Sequence, residues 1–141
     1  MLAYADVEAY VRTQLTNQDY TPLPYFTPGP SSDPDVQDLV PDAMVILTIG
    51  AGAGMDSELL FDRPGVQVRT IGPQQDYTGA ETLAQAIDKV MGDLGGATAS
   101  RTINGKRILS IVRAGGAPTL LLKDDGDRYH FTCNYIWEVV Y

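Results

Sequence analysis

The clearest pattern of apolar and polar positions in the chain runs from residue 61 to residue 96. Residues 66–71 alternate between two faces, which is the period of a strand. Gly72-Pro73 then ends the alternation. Over residues 80–94 the apolar side chains recur at helical spacing, with polar residues largely on the opposite face. The pattern predicts one strand, one turn and one amphipathic helix, in a stretch that holds no residue set suited to catalysis.

Sequence signals also mark the ends of two helices. Thr78 and Glu81 form a capping box for the central helix, in which each side chain satisfies a free backbone N–H. Gly95-Gly96 supplies a left-handed stop after it. A first helix is predicted over residues 5–16, where Asp6 or a residue just before it caps the start. This first helix carries one apolar stripe, formed by Val7, Val11 and Leu15.

Residues 20–41 hold six of the nine prolines of the chain. Each proline fixes φ and lacks an N–H, which excludes a regular helix or a central strand. We predict an extended or looped segment whose strong apolar anchors are Leu23, Tyr25 and Phe26. A loop of this length in a compact domain is usually functional or disordered. It packs either on a neighbouring subunit or on its own core, and the sequence leaves both open.

The remaining apolar segments predict strands. Residues 43–49 form a nearly continuous apolar run, as in a central strand buried on both faces. Residues 106–113 and 118–123 predict two further strands. Residues 124–127 give a hairpin turn with an Asp-Gly signal, and residues 128–141 give a long final strand. Every second residue of the final strand is apolar, so one of its faces is predicted to be buried.

Together these elements predict an α+β fold, with a mainly antiparallel sheet packed against one N-terminal and one central helix. The length of 141 residues suits a single domain over residues 1–141. The net charge of −8 does not favour electrostatic binding of phosphates, because such binding needs clustered Lys and Arg. The charge indicates either solubility or a surface that must not stick to passing DNA. No signal peptide is visible, and no apolar run approaches the ~20 residues that span a bilayer.

Candidate chemical groups are few. His130 and Cys133 lie three apart on one predicted strand, so their side chains point to opposite faces and cannot form a dyad. Cys133 is predicted to lie in the core, and His130 to be an exposed or interfacial strand residue. The GAGAG sequence at residues 50–54 lacks the G-x-G-x-x-G spacing, which favours a flexible loop. The three Asp residues within 124–127 lack a following bidentate Glu, which favours a solvated hairpin tip over a calcium loop. We therefore predict no enzyme activity, no catalytic residue, no cofactor and no metal site.

Four segments of the chain together resemble a known family. They are YFTPGP (residues 25–30), PDAMVILTIGAGAG (41–54), LFDRPGVQVRTIGPQQDYTGAETLAQAID (60–88) and DDGDRYHFTCNYIWEV (124–139). This succession is similar to the tail terminator proteins of bacteriophages with long, non-contractile tails (siphoviruses), which are also called minor tail or minor capsid proteins. The resemblance covers most of the chain. Its most specific part has a strand, a Gly-Pro, a short polar turn and an Ala-rich helix.

The resemblance implies a tail-terminator-like α+β subunit of a homohexameric ring. Such a ring caps the tail tube protein, ends tail polymerisation and joins the tail to the head–tail connector protein. Genomic DNA would pass through the lumen without specific binding. The protein would be a virion structural protein at the head–tail junction, assembled in the host cytoplasm without membrane contact. The interface candidates are Leu23, Tyr25, Phe26, Leu60, Phe61, Arg69, Gln75 and Tyr77.

Two alternatives stay open beside this expectation. The chain could be another head–tail joining or completion protein, which would share the structural class and differ in its position on the particle. It could also be a small ligand-binding domain that uses the GAGAG loop.

Overall fold

The computed structural model describes residues 2–29, 43–50, 61–92 and 101–140. These ranges contain two α-helices, α1 (Tyr4–Asn17) and α2 (Tyr77–Gly92). Neither helix is long and apolar enough to cross a membrane. The strands are β1 (Tyr25–Pro28), β2 (Met44–Ile49), β3 (Phe61–Asp62), β4 (Gly65–Ile71), β5 (Arg101–Ile103), β6 (Lys106–Arg113), β7 (Thr119–Lys123) and β8 (Tyr129–Val140).

These eight strands form one mixed, mostly antiparallel sheet, and both helices pack against the same face of it. The strand order is β1-β2-β4-β8-β6-β5, with β3 and β7 also paired to β8. β1 runs parallel to β2, whereas the other described pairings are antiparallel. The predicted α+β class, with one N-terminal and one central helix on a mainly antiparallel sheet, is confirmed.

β8 is the central strand because four other strands pair with it, and its twelve residues make it the longest described strand. One of its edges pairs with β4 and β3, and the other edge pairs with β7 and β6. Since β6 and β7 run along the same edge of β8, the three strands form one long hairpin whose first arm is interrupted at residues 114–118. The alternation predicted for β8 is confirmed by the burial of Phe131, Cys133, Tyr135, Trp137 and Val139.

The main core lies between the two helices and this face of the sheet. The Trp137 ring packs edge-on against Tyr10 of α1, with ring centroids 5.2 Å apart. The Tyr10 hydroxyl donates a hydrogen bond of 2.7 Å to the carbonyl of Val90 in α2. Aromatic packing and hydrogen bonding thus join α1, α2 and β8 at one place. The predicted apolar stripe of α1 is fully buried and consists of Val7, Val11 and Leu15.

A carboxylate on each helix forms hydrogen bonds with residues of β6 or of the turn before it. At the start of α1, buried Asp6 accepts hydrogen bonds from the Asn104 amide at 2.8 Å and from the Lys106 ammonium at 2.5 Å. In α2, Asp88 accepts two hydrogen bonds from the Arg113 guanidinium. Both pairs connect residues far apart in sequence, so they orient the helices on the sheet.

The start of α2 differs from the prediction. The helix begins at Tyr77, and the Asp76 carboxylate accepts a hydrogen bond of 2.8 Å from the Gly79 N–H. Asp76 is therefore the capping residue, and the capping box predicted at Thr78 is wrong. Asp is a better N-cap than Thr, and the true cap comes two positions earlier.

Three strands were not predicted: β1, β3 and β5. β1 lies inside the proline-rich segment, at an edge of the sheet. The N–H groups of Tyr25 and Gly29 donate to Ala43 and Leu47 on the β2 side. Because alternate residues of a strand face opposite ways, the missing N–H groups of the prolines at positions 24 and 28 lie on the side away from β2. Prolines are tolerated in an edge strand for this reason.

Several expectations lie outside the described residues. They concern residues 30–42 of the proline-rich segment, the GAGAG sequence beyond Gly50, and the Gly95-Gly96 stop. The prediction of a single domain stays a prediction.

Candidate functional site

The turn between β7 and β8 is built around the Asp124 carboxylate. Its Oδ1 accepts hydrogen bonds from the N–H groups of Gly126 at 2.9 Å and Arg128 at 3.0 Å. Asp127 adopts a positive φ of 59°, which Asp tolerates in turns. The side chain of Asp124 is half-buried, so the prediction of a solvated acidic tip is wrong for this residue. Asp124 instead holds the shape of the turn.

The same carboxylate reaches His130, the single histidine of the chain. His130 Nε2 lies 2.7 Å from Asp124 Oδ2, and its Nδ1 accepts a hydrogen bond of 2.9 Å from Arg69 Nε. Because a guanidinium can only donate, the ring proton sits on Nε2 and is donated to Asp124. His130 is only 1% exposed, since β4 and β7 pair with β8 on either side of it. The prediction of an exposed or interfacial His130 is therefore wrong.

Both titratable groups of this contact are shifted from their usual behaviour. Burial lowers the pKa of His130, and the hydrogen bond to Asp124 offsets this only in part. Burial acts to raise the pKa of Asp124, but hydrogen bonds from His130 and from backbone N–H groups hold it below its ordinary value. At neutral pH a neutral imidazole thus joins a guanidinium to a carboxylate. Both ring nitrogens are engaged, so the contact orders the turn and offers no free base.

Three of the predicted interface residues surround this turn. Arg69 donates a hydrogen bond to the ring of His130, which in turn contacts Asp124 of the turn. The Gln75 N–H donates a hydrogen bond of 2.7 Å to the Asp127 carbonyl. Tyr77 is 41% exposed and packs edge-on against Tyr129, with ring centroids 5.1 Å apart. The structure therefore brings Arg69, Gln75 and Tyr77 together at one end of the long hairpin.

The predicted residues of the proline-rich segment lie in or just before β1, which β2 and β4 separate from β8. Leu23 nevertheless lines a small cavity together with Asp76, so it lies near the start of α2. Tyr25 is 51% exposed on the edge strand β1. Phe26 is buried in the main core, where the Arg12 guanidinium lies 4.9 Å from its ring centroid. Leu23 is half-buried and packs against the same core. Of these three residues, Tyr25 alone presents a largely exposed side chain.

The last two predicted residues are described little or not at all. Leu60 lies outside the described residues. The backbone of Phe61 belongs to β3 and pairs with Val140 of β8.

One exposed apolar surface was missed by the sequence reasoning. The leucines of β7 are 44%, 49% and 39% exposed at positions 120, 121 and 122. The sequence predicted a strand here but did not identify it as a surface. Three consecutive leucines cannot share one face of an alternating strand, and this was the available signal.

A surface cavity of about 520 Å³ lies between α1 and β5, with Tyr10, Gln14 and Asn104 among its lining residues. The Tyr10 hydroxyl is already bonded to a backbone carbonyl, and no other described lining residue is ionisable. The described part of the chain contains no group of three or more His, Cys, Asp or Glu residues that could hold a metal ion. The cavity thus offers apolar, hydroxyl and amide contacts without a nucleophile paired to a base.

Comparison of the chain with protein-family models gave no match. A search of curated proteins gave no significant match either.

Proposed function

We propose that this chain is the subunit of a tail terminator, a structural virion protein that is not an enzyme. In this proposal a homohexameric ring caps the tail tube, ends tail polymerisation and joins the tail to the head connector. The sequence resemblance supports the proposal, above all in the segment from residue 61 to residue 84.

The structural observation that supports it best is the exposure of a tyrosine on each of two elements. Tyr25 on β1 is 51% exposed, and Tyr77 at the start of α2 is 41% exposed. Tyrosine is enriched at protein interfaces because its ring gives contact area while its hydroxyl tolerates water. A subunit inside a closed ring needs two different surfaces, one for each neighbour. Tyr25 on β1 and Tyr77 on α2 each offer an exposed ring for such a contact.

The acidic character of the chain suits a ring through which DNA moves. The chain has 18 acidic and 10 basic residues. Lys and Arg clusters bind phosphates strongly, whereas an acidic surface repels them. Genomic DNA would therefore pass such a lumen without being held.

The proposed mechanism needs no active site and no cofactor. One face of the ring docks on the last tube ring, and the opposite face lacks the surface that would accept another tube subunit. Polymerisation then stops because the docking surface is no longer renewed. Specificity comes from buried contacts and from ring symmetry.

The test uses the phage that encodes this chain, with the gene inactivated. We expect negative-stain images to show tube-like tails of uncontrolled length, or tails that fail to join heads. Supply of the unaltered gene should restore normal particles. Normal joined tails in the absence of the protein would overturn the proposal.

Complementation with variants makes the test specific to a surface. Tyr77→Ala should restore joined particles poorly, because it removes an exposed ring from the proposed interface. Gln85→Ala is the matched control, since Gln85 is exposed on the same helix. Equal restoration by both variants would remove Tyr77 from the interface.

The alternatives are distinguished by location and by ligand binding. Labelled protein on the portal side of the neck, and not on the tube, would support a different head–tail completion protein. A rise in Tm with a nucleotide, abolished by a bulky residue at Gly52, would support a ligand-binding domain instead.

A further inference from the structure

The proposed ring surfaces do not account for the leucine edge, which we define as the exposed side of β7 with Leu120, Leu121 and Leu122. β7 pairs with β8 on one side, and no described strand pairs with its other side. All five residues of β7 are exposed. A single exposed leucine is ordinary, but three in sequence on an unpaired strand edge form a surface that favours contact with another chain.

The charge around the leucine edge indicates what contacts it. Residues 114–122 contain no charged side chain, although the net charge of the chain is −8. The flanking Arg113 is paired with Asp88, and the flanking Lys123 lies 3.3 Å from Asp127. Two copies of an acidic protein repel each other over most of their surfaces. They repel least where both surfaces are apolar and uncharged.

The other described strand edges offer poor partners for this surface. Pro24 precedes β1 and Pro28 is its last residue. Both prolines lack the N–H group that would point away from β2, so the free edge of β1 has fewer donors for pairing. β5 has three residues and β3 has two. Residues 109–113 of β6 also have no described partner on the side away from β8, but they expose only Leu109 and Val112 as apolar side chains and end at Arg113. Among the described strands, the leucine edge of a second copy therefore exposes the most apolar side chains.

We propose that two copies of this chain associate through their leucine edges, antiparallel and about a two-fold axis at Leu121. Leu120 then faces Leu122 of the second copy, and Thr119 faces Lys123. Like charges are not opposed, and the acidic turn of one copy lies beside the uncharged residues 114–118 of the other. The inference concerns two copies in solution and stands whether or not the protein ends a tail.

The contact is small and therefore weak. Five residues of strand span about 17 Å. A bulge at Leu121 interrupts the pairing of β7 with β8, and bulges weaken the continuity of a strand edge. The leucine side chains, more than a continuous ladder of backbone hydrogen bonds, supply the affinity. Dimers should accordingly form at high protein concentration and dissociate on dilution.

Sedimentation equilibrium over a wide concentration range tests the contact. The unaltered protein should show a reversible dimer. Leu121→Lys should weaken the association by at least about tenfold, because it places two like charges at the axis. Gln85→Lys makes the same charge change on an exposed helix position and should have no such effect. A monomer at all concentrations, or equal association of Leu121→Lys and the unaltered protein, would overturn the inference.

A cross-linking variant tests the two-fold arrangement. In Leu121→Cys the two new thiols face each other across the axis, at a spacing that a disulfide can bridge. Oxidation should give a covalent dimer, whereas Gln85→Cys should give little. Absence of the dimer, or equal yield from both variants, would overturn the arrangement. If Leu121→Lys fails to fold, Leu121→Thr keeps the β-propensity and carries the same expectation of weaker association.

Discussion

Removal of the Asp6 carboxylate should destabilise the protein far more than removal of an acidic group two residues away. Asp6 is 3% exposed at the start of α1. It accepts hydrogen bonds from the Ala3 N–H and the Asn104 amide, both at 2.8 Å, and from the Lys106 ammonium at 2.5 Å. One carboxylate thus joins the beginning of the chain to the turn between β5 and β6.

The magnitude follows from the exposure of the partners. Loss of one partner of a buried ion pair typically costs about 3–5 kcal/mol. The Lys106 side chain is 22% exposed, so it regains part of its hydration when Asp6 is gone. We therefore expect Asp6→Ala to lower the free energy of unfolding by about 2–4 kcal/mol.

Glu8→Ala is the matched control on the same helix. Glu8 pairs with Arg12 four residues later, and the two side chains are 27% and 45% exposed. Such exposed pairs contribute less than about 1 kcal/mol. Urea unfolding followed by fluorescence reports both variants, because Trp137 is the single tryptophan and is fully buried. Equal losses in the two variants would refute the reasoning.

The pH dependence gives a second check on the same contact. Burial acts to raise the pKa of Asp6, but hydrogen bonds from Lys106, Asn104 and Ala3 hold it below the ordinary value of 3.8. A carboxyl with a lower pKa in the folded state stabilises at neutral pH and loses this effect as the pH falls through that pKa. The stability gap between the unaltered protein and Asp6→Asn should therefore narrow below pH 3.8. A gap that stays constant with pH would contradict the assigned role of the charge.

Two further predictions concern the sheet. Because the pKa of His130 is lower than the ordinary 6.5, the unfolded chain binds a proton more readily, and the free energy of unfolding should fall as the pH drops below that value. His130→Gln should reduce this dependence on pH. An unchanged pH profile in this variant would contradict the role assigned to His130. Gly72→Ala would place its Cβ 2.4 Å from the Ala80 Cβ and should destabilise by about 1–3 kcal/mol, measured as a lower Tm. Gly115→Ala meets open space and should leave Tm almost unchanged, so similar losses in the two alanine variants would refute the packing argument.

The elements with strong local periodicity were the ones that could be predicted. The stripe of Val7, Val11 and Leu15 is set by residues one helical turn apart, and it is fully buried in α1. The alternation of β8 likewise depends on neighbouring residues, and it correctly placed Cys133 in the core. Such patterns need no knowledge of what lies across the interface.

The predictions that failed depend on individual contacts and not on a repeating pattern of residues. His130 is buried because β4 and β7 flank it, and Asp124 is drawn inward by a ring six residues later. Neither contact has a periodic signal in the sequence. The parallel pairing of β1 with β2 is also set by tertiary structure, since its prolines predicted only an extended segment.

The candidate interface was predictable only in part, because the exposure of a side chain depends on tertiary contacts. Tyr25 and Tyr77 are exposed, whereas Phe26, from the same apolar group as Tyr25, is buried. Composition identifies aromatic anchors but not which side of the sheet each one occupies. The leucines of β7 were missed because their exposure follows from the edge position of that strand.

A reconstruction of the neck of the assembled particle tests the central claim most directly, since it gives position, copy number and neighbours together. The proposal predicts a six-fold ring of this chain between the last ring of the tail tube and the connector, with Tyr25 and Tyr77 in contacts to neighbouring subunits or partners. A particle whose neck lacks this chain, or which carries it only on the portal side of the connector, would contradict the assignment as a tail terminator.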